Sequence, residues 1–453
     1  MSTLWTAEEM QAATLGHQSR AFAASGISID TRSLKPGDLF VALTGGVRDG
    51  HDFVPAALAA KASGALVSRE MDGPVLVVAH TQRGLEDLAR ASRARSRAKV
   101  LAVTGSAGKT TTKEMLRLAC GALGKTHASA ASYNNHWGVP LSLAAMPRDM
   151  EYGVFEVGMN HFGELRNLVS FVRPHVALVT TIAPAHLEFF GSCEAIADAK
   201  SEIFEGIVPG GAALIPSDSP YAERLIARAH QAGVSRVMTF GAKGDARLIA
   251  MHDLDDGMKV DAEICGKAVS FRIGAPGAHI ASNAVGALLS IAALDGDVLN
   301  AAAALSQFAA LKGRGARVSI LGGKAELVDE SYNANPASMA AAIAVLRDTR
   351  ATRRIAVLGD MLEMGPDGAA HHATLAKHLE DARVDLVFAN GPQMKALWDA
   401  LPSSRRGAYG ETSAEIAAQV AEAVAPGDVV LVKGSNGSKM SVIVDALKAR
   451  AGA

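Results

Sequence analysis

The sequence predicts an α/β protein with three domains, and three observations support that prediction. The chain has 453 residues, which is more than one ordinary domain contains. Short apolar runs bounded by Gly, Pro or Asn alternate with stretches of helical spacing in three successive blocks. Of all residues, 49% are hydrophobic and 20% are charged, a composition typical of globular proteins with substantial cores.

Residues 1–82 form the first block, for which a small N-terminal α/β domain is predicted. The segment SIDTRSLKPGDLFVAL places a Pro-Gly-Asp turn ahead of a short apolar strand, and AALAAKASGALVS continues as a helix and a strand. The block ends near VLVVAH. The Arg-rich stretch RGLEDLARASRARSR that follows is interpreted as a solvated linker helix rather than as a nucleic-acid-binding arm.

Two further blocks repeat the alternation of strands and helices. In residues 83–312, the runs KVLAVTG, GVFEVGM and VALVTTI indicate buried parallel strands, and SNAVGALLSIAAL indicates a closing helix. In residues 313–453, the strands RIAVLGD, LVFAN and DVVLVKG alternate with Ala-rich helices. This alternation is typical of a doubly wound sheet, so a C-terminal Rossmann-like domain is predicted.

Charge and cysteine usage indicate a cytoplasmic protein. The formal net charge of −1 gives no support to binding of nucleic acid or of an anionic membrane surface. Cys120, Cys193 and Cys265 are far apart and outside any C-x-x-C pair, so they are interpreted as buried thiols in a reducing cytosol. The N-terminal residues lack the pattern of a signal peptide, and no apolar run is long enough to span a bilayer. A cytoplasmic protein without membrane insertion is therefore expected.

The stretch LAVTGSAGKTTTKEML predicts a phosphate-binding loop, although Val103 stands where the Walker A pattern requires glycine. An apolar strand, a Gly-containing loop and a helix follow one another here, so free N–H groups and the helix dipole favour an anion in the loop. Gly105 and Gly108 let the backbone approach phosphate closely. Lys109 can neutralise phosphate oxygens, and the hydroxyl of Thr110 stands where Mg²⁺ binds. The second block is therefore predicted to be a P-loop ATPase-type domain with a parallel sheet.

Two further polar residues are expected beside the loop. Glu156 ends one predicted strand, and His186 follows another. Because the carboxyl ends of parallel strands meet at one edge of a sheet, these side chains and Thr110 should converge there in an environment suited to Mg²⁺. Lys200 lies on a predicted helix, and its spacing alone favours a solvated lysine.

Together these motifs resemble the Mur ligases, ATP-dependent amide-forming enzymes of bacterial cell-wall synthesis, over essentially the whole chain. The short loop T-G-x-x-G-K-T-T has the family's form, which accounts for Val103. The segment EVGMNHFGE resembles the member that adds D-alanyl-D-alanine, and the D-N-P-R motif of a sister enzyme is not found. SYNNHWGVPLSL, DESYNANPASM and AVLGDMLEMG are similarly specific. The resemblance implies an ATP-dependent ligase with UDP-N-acetylmuramoyl-tripeptide and D-alanyl-D-alanine as partners, and a monomer is expected.

The resemblance also implies functional positions, residue by residue. Those implied to bind ATP are Thr104, Gly105, Ser106, Ala107, Gly108, Lys109, Thr110, Thr111, Asn283, Asp329, Tyr332, Asn333 and Asn335. Those implied to bind the UDP-linked substrate are Asp30, Thr31, Arg32, Ser33, Asn134 and Asn135. Those implied to act in catalysis are Lys109, Glu156, His186 and Lys200. Two Mg²⁺ sites are implied, with the ligands Thr110, Glu156, His186 and Lys200, the last of them carbamylated by CO₂.

Carbamylation requires a neutral amine, so desolvation should lower the pKa of this lysine. Two departures from the family pattern are visible. The chain reads G-A-H-I at Gly277 to Ile280 where G-R-H-N is usual, and Asn436 replaces an arginine in K-G-S-N-G.

Three alternatives remain open at this point. A sister ligase, including the folate-polyglutamate branch, would share the core and use another acceptor. A P-loop switch protein would bind nucleotide to control partners, although no N-K-x-D motif is found. A non-catalytic binding module would need none of the metal-site residues. The third residue of the tripeptide, diaminopimelate or lysine, is also open.

Overall fold

Three β-sheets follow one another along the chain in the computed structural model, which describes residues 3–46, 48–254 and 257–450. The first sheet uses residues 17–77, the second uses residues 99–273 and the third uses residues 316–433. Each sheet lies within one of the three predicted blocks. The three-domain α/β fold is thus confirmed, while the boundaries near residues 82 and 312 stay predictions.

The N-terminal domain is a small sheet flanked by helices. Its strands are β1 (His17–Gln18), β2 (Gly26–Ser28), β3 (Asp38–Val41), β4 (Gly64–Val67) and β5 (Val75–Val77). Its helices are α1 (Ala7–Thr14) and α2 (Val54–Ala59), and α3 (Thr81–Arg95) crosses the predicted boundary at residue 82. The spatial order is β1-β5-β4-β3-β2, and β1 is antiparallel to β5 while the other pairs are parallel. Strands β3, β4 and β5 fall where the apolar runs predict them, whereas β1 and β2 were not predicted.

Helix α3 corrects the expectation of a solvated linker. Leu85 and Leu88 are fully buried on one side of it. The guanidinium of Arg95 lies 3.7 Å from the ring centroid of Trp5, and Arg93 Nε donates a 2.8 Å hydrogen bond to the carbonyl of Val172. Arg93 and Arg95 thus connect α3 to residues of the central and the N-terminal domain, while Arg83, Arg90 and Arg97 stay exposed.

The central domain contains the longest sheet. Its strands are β6 (Lys99–Thr104), β7 (Thr126–Ala128), β8 (Tyr152–Glu156), β9 (Val176–Val179), β10 (Ala212–Pro216), β11 (Arg236–Gly241), β12 (Ala246–Leu254), β13 (Gly257–Ile264) and β14 (Lys267–Ile273). Its helices are α4 (Lys109–Gly121), α5 (Gly138–Ala144), α6 (Glu164–Val172), α7 (Leu187–Phe190), α8 (Cys193–Ser201), α9 (Ala222–Gln231), α10 (Ala278–Ala293) and α11 (Val298–Ala304). The spatial order is β14-β13-β12-β11-β10-β9-β6-β8-β7. Strand β6 therefore lies between β8 and β9 at the point where the order reverses, which is where such sheets bind ligands.

An antiparallel extension of the central sheet was not predicted. Strands β12, β13 and β14 pair antiparallel, and the turn between β13 and β14 contains Cys265 and Gly266 with φ of +49° and +79°. Such a two-residue turn with positive φ matches the twist of a hairpin. Cys265 is exposed there and Cys193 is half-buried, so the expectation of buried thiols is correct only for Cys120.

The C-terminal domain has a mostly parallel sheet between helices. Its strands are β15 (Ala316–Ile320), β16 (Ala325–Glu330), β17 (Arg353–Gly359), β18 (Leu386–Asn390), β19 (Arg406–Gly410) and β20 (Asp428–Lys433). Its helices are α12 (Pro336–Asp348), α13 (Gly368–Ala373), α14 (Leu375–Asp381), α15 (Lys395–Ala400), α16 (Ser413–Ala423) and α17 (Ser441–Ala449). The order is β15-β16-β20-β17-β18-β19, with β15 antiparallel to β16. Helices on both faces explain the apolar strands.

Short 3₁₀ helices join several elements. They are Gly50–Phe53, Glu202–Gly206, Leu305–Gln307, Leu321–Gly323, Ser403–Arg405 and Asn436–Ser438. Within residues 3–46, 48–254 and 257–450, none of the helices has the length and apolar character needed to cross a bilayer.

Candidate active site

The phosphate loop runs from the end of β6 to the start of α4. Gly108 has φ of +79°, and a Cβ built on it would lie 2.8 Å from the side-chain amide nitrogen of Asn283. Thr180 Oγ1 donates to the carbonyl of Ala107 at 2.5 Å, and Ser106 Oγ donates to the carbonyl of Ala183 at 2.9 Å. The loop is thus held by the strand beside it and by α10, and glycine is needed where the amide of Asn283 approaches.

Thr110 and Glu156 meet beside the loop. Thr110 Oγ1 donates to Glu156 Oε2 at 2.7 Å, and Asn134 Nδ2 donates to Glu156 Oε1 at 2.6 Å. The carboxylate is 1% exposed. Of the three side chains predicted to converge here, Thr110 and Glu156 therefore meet at the carboxyl ends of β6 and β8. A buried carboxylate next to a hydroxyl is an oxygen-donor set that fits Mg²⁺.

Lys200 is fully buried at the end of α8, with 1% exposure, so the solvated alternative is wrong. Burial, followed by the positive charge of Lys109, holds the pKa of Lys200 well below its ordinary value. The side chain is therefore poised to be a neutral amine, as carbamylation requires. The apolar spacing of α8 gave no sign of this, because contacts with other elements decide which side of a short helix is buried.

Lys109 reaches back over the loop. Its Nζ donates a 2.8 Å hydrogen bond to the carbonyl of Gly105. Burial lowers the pKa of Lys109, the carboxylate of Glu156 opposes this, and the charge of Arg314 adds to the lowering. Lys109, Glu156 and Lys200 thus interact electrostatically.

His186 is placed differently from Thr110 and Glu156. It precedes α7 with φ of +59°, and its Nδ1 lies 2.5 Å from Glu363 Oε2 of the C-terminal domain. Within the described ranges, its ring has no hydrogen bond to Thr110 or Glu156. The pairing of His186 with Lys200 at a second metal site stays a prediction. Nor does the described part of the chain contain a cluster of three or more His, Cys, Asp or Glu side chains arranged for a metal ion.

Residues of the C-terminal domain reach the loop. Asn335 caps α12 and donates from Nδ2 to the carbonyl of Ser106 at 3.1 Å. Asp329 is 1% exposed and accepts from the hydroxyl of Ser331 at 2.6 Å. The ring of Tyr332 is 40% exposed. Asn333 accepts from the amide of Ala334 at 2.9 Å, which makes it part of a local turn.

Arg314 is a site residue that sequence reasoning missed. Its Cζ lies 3.9 Å from the ring centroid of Tyr332, and its Nη2 donates to Ser132 Oγ at 3.0 Å. Ser132 Oγ is in turn 3.2 Å from Thr110 Oγ1. The segment LKGRGAR served only to mark a domain boundary, and its arginines were the available signal. The Arg314 guanidinium of the C-terminal domain therefore lies beside the phosphate loop.

The predicted substrate residues divide into four groups. Asp30 and Ser33 line a cavity of about 290 Å³, together with Tyr133 of the central domain. Arg32 is largely exposed and pairs with Asp30 at 2.6 Å. Asn135 Oδ1 instead accepts the amide of Gly138 at 2.9 Å at the start of α5, while Asn134 binds Glu156. Thr31 is half-buried beside this cavity but is not among the residues that line it.

The two departures from the family pattern lie on different elements. Ala278 and Ile280, which stand in place of the usual arginine and asparagine, lie in the first turn of α10, and Ile280 is 6% exposed. Asn436 is exposed in a 3₁₀ turn. Within the described residues, the Asn436 side chain makes no hydrogen bond to Thr110, Glu156 or Lys200.

Comparison with known proteins agrees with the fold and the loop. Three family models match in succession: "Mur ligase family, catalytic domain" over residues 23–103, "Mur ligase middle domain" over residues 103–291, and "Mur ligase, glutamate ligase domain" over residues 313–436. The UDP-N-acetylmuramoyl-tripeptide–D-alanyl-D-alanine ligase of Rickettsia prowazekii is 32% identical over 448 residues, covering 98% of this chain and 99% of the relative.

Solved structures are similar over the same length. A crystal structure of MurF from Acinetobacter baumannii has a TM-score of 0.87 and 31% identity, covering 98% of this chain and 99% of that chain. MurF from Thermotoga maritima in complex with ADP has a TM-score of 0.79 and 24% identity, covering 94% and 98%, and shares the fold. With all three domains matched and one relative of this identity aligned over nearly its full length, the chain belongs to the Mur ligase family.

Proposed function

We propose that this chain is an ATP-dependent ligase that adds D-alanyl-D-alanine to UDP-N-acetylmuramoyl-tripeptide in peptidoglycan precursor synthesis. The observation that carries the proposal is the grouping of Lys109, the Thr110–Glu156 pair and the buried Lys200 around a phosphate loop. The names of relatives aligned over nearly the whole chain supply the substrates.

Such a reaction needs activation of a carboxylate, because its oxygen is a poor leaving group. An oxygen of the tripeptide's terminal carboxylate attacks the γ-phosphorus of ATP, and ADP leaves. The amine of D-alanyl-D-alanine then attacks the carbonyl carbon of the acyl phosphate, the C–N bond forms, and inorganic phosphate leaves. The amine gives up its proton as the amide forms.

Side chains of the loop lower the repulsion between the two reacting anions. Lys109 contributes a cation at the phosphate, and the N–H groups at the start of α4 contribute fixed dipoles. Arg314 brings a second cation from the C-terminal domain. Thr110 and Glu156 would hold one Mg²⁺, and His186 with carbamylated Lys200 would hold a second, and these ions would supply further charge neutralisation.

Lys200 would become a carboxylate-like group by carbamylation. Its neutral Nζ adds to the carbon of CO₂, an N–C bond forms, and one proton is released. Burial favours this because it lowers the pKa of the amine, as the structure indicates.

The three blocks divide the substrates in this proposal. Residues 1–82 bind the UDP portion, with Asp30 and Ser33 lining the cavity. Residues 83–312 bind the ATP phosphates, and residues 313–453 cover the nucleotide through Asn335 and its neighbours. The protein is proposed to work as a monomer in the cytoplasm.

An acceptor comparison tests the proposal. With UDP-N-acetylmuramoyl-tripeptide and Mg²⁺-ATP, ADP release is expected to require D-alanyl-D-alanine and to stay at background with glutamate or diaminopimelate. Parallel reactions with lysine- and diaminopimelate-containing tripeptides identify the preferred third residue. Reactions without an acceptor serve as the control.

Two outcomes would contradict the assignment. Faster ADP release with glutamate or diaminopimelate, each supplied with its own donor substrate, would instead identify a sister ligase. ADP release that ignores every acceptor would favour a P-loop switch protein.

A further inference from the structure

The loop that follows β17, Asp360 to Gly365, has no role in the function proposed above, although it lies within the specific motif AVLGDMLEMG. Its backbone is firmly held. The amide of Met361 donates to His372 Nε2 at 2.8 Å, and the amide of Leu362 donates to Ser435 Oγ at 2.9 Å. Asp360 accepts the amide of Met394 at 2.8 Å. The loop is therefore preorganised within the C-terminal domain.

This loop docks on α7 of the central domain. The carbonyl of Glu363 accepts the amide of Glu188 at 3.1 Å. A Cβ built on Gly365, whose φ is +69°, would lie 3.5 Å from the Cα of Glu188. Leu187 packs against the apolar cores of both domains. Backbone and side-chain contacts thus fix the position of α7 relative to the loop.

Glu363 and His186 form the polar centre of this contact. Glu363 Oε2 lies 2.5 Å from His186 Nδ1, and the two residues have φ of +61° and +59°. Such values are uncommon outside glycine and indicate that surrounding contacts impose the conformation. Because an ionised carboxylate only accepts, Nδ1 is the nitrogen that donates to it, and in the neutral imidazole the lone pair then lies on Nε2.

We propose that Glu363 is a positioning residue that, when the C-terminal domain docks on α7, fixes the His186 ring with Nε2 free to bind a divalent cation. Carboxylate–histidine pairs orient metal-binding imidazoles in this way in other proteins. The His186 ring is thus oriented for metal binding only after the C-terminal domain has docked on α7. The inference rests on the proposed function in assigning a cation to His186, whereas the contact between Glu363 and His186 is present in the structure itself.

The test uses nitrogen-15 NMR of histidine-labelled full-length protein, with His186→Gln to assign the His186 signals. In the unsubstituted protein, Nδ1 is expected to give a protonated-type shift and Nε2 an unprotonated-type shift. In Glu363→Ala, the two shifts should move toward each other, and hydrogen exchange at the amide of Glu188 should speed up several-fold. Glu363→Gln, which keeps a hydrogen-bonding oxygen, should retain the tautomer in larger part.

Turnover provides the second measurement. Glu363→Ala is expected to lower kcat at least about tenfold, the lower end of the usual effect of such partners, with KM for the tripeptide little changed. Glu422→Ala, an exposed glutamate of α16 in the same domain, is the matched control and should match the unsubstituted protein in every measurement.

The inference would be overturned by unchanged nitrogen shifts in Glu363→Ala, or by shifted tautomers with an unchanged kcat. Failure of the proposed function gives a different result from failure of this inference. In that case the unsubstituted protein would show no acceptor-dependent ADP release, while the NMR and hydrogen-exchange measurements would still report on the contact between Glu363 and His186.

Discussion

Replacing Lys109 with alanine is expected to lower turnover by about 10²-fold or more, because one preorganised positive group at a developing charge contributes roughly 3–4 kcal/mol. Lys109 reaches over the loop to the Gly105 carbonyl and interacts with Glu156, so its ammonium lies where the phosphate is proposed to bind. The measurement is steady-state ADP release with saturating tripeptide and D-alanyl-D-alanine.

Lys243→Ala is the matched control for this prediction, since Lys243 is an exposed lysine of the same domain. Thermal unfolding of both variants verifies that the fold is retained. A folded Lys109→Ala protein that keeps near-full ligase activity would disprove the role given to the loop.

Replacing Lys200 with alanine is expected to reduce turnover by at least about 10²-fold, because the carbamate that would hold positive charge at the phosphate is lost. The truncation also leaves a cavity where the long side chain was buried. Added formate or acetate is therefore expected to restore part of the activity by placing a carboxylate in that cavity.

Lys200→Met is the control that separates loss of the carbamate from formation of the cavity. Its side chain fills most of the space and carries no charge, so it should be as inactive as the alanine variant and should not respond to small carboxylates. Carbon-13 NMR under labelled CO₂ should show a carbamate signal in the unsubstituted protein that neither variant gives. Activity of Lys200→Met near that of the unsubstituted protein would rule out the carbamate.

The sequence was sufficient to predict interactions that follow from a single sheet. Thr110 and Glu156 follow or end neighbouring parallel strands, β6 and β8, so their meeting could be expected from strand polarity alone. The alternation in MKVDAEI and KAVSFRI was also visible, and it could have predicted the hairpin that was missed.

Interactions between domains could not be predicted in the same way. Arg314 and Glu363 reach the site only because the C-terminal domain packs over the loop and α7, about two hundred residues away in sequence. The burial of Lys200 likewise depends on packing around a nine-residue helix whose own pattern allowed a solvated lysine. Local patterns carry no information on which face of an element another domain will cover.

The contacts between the N-terminal and central domains bear on which domain can move during turnover. Trp5 Nε1 donates to the carbonyl of Ala144 at 2.9 Å, and Arg95 stacks on the same indole. The core of the N-terminal domain also includes Leu141 and Ala144 of α5. The first two domains thus share one apolar core. If the UDP-linked donor binds the first domain as proposed, its distance from the phosphate loop is expected to stay constant. Any domain movement during turnover would then be a movement of the C-terminal domain.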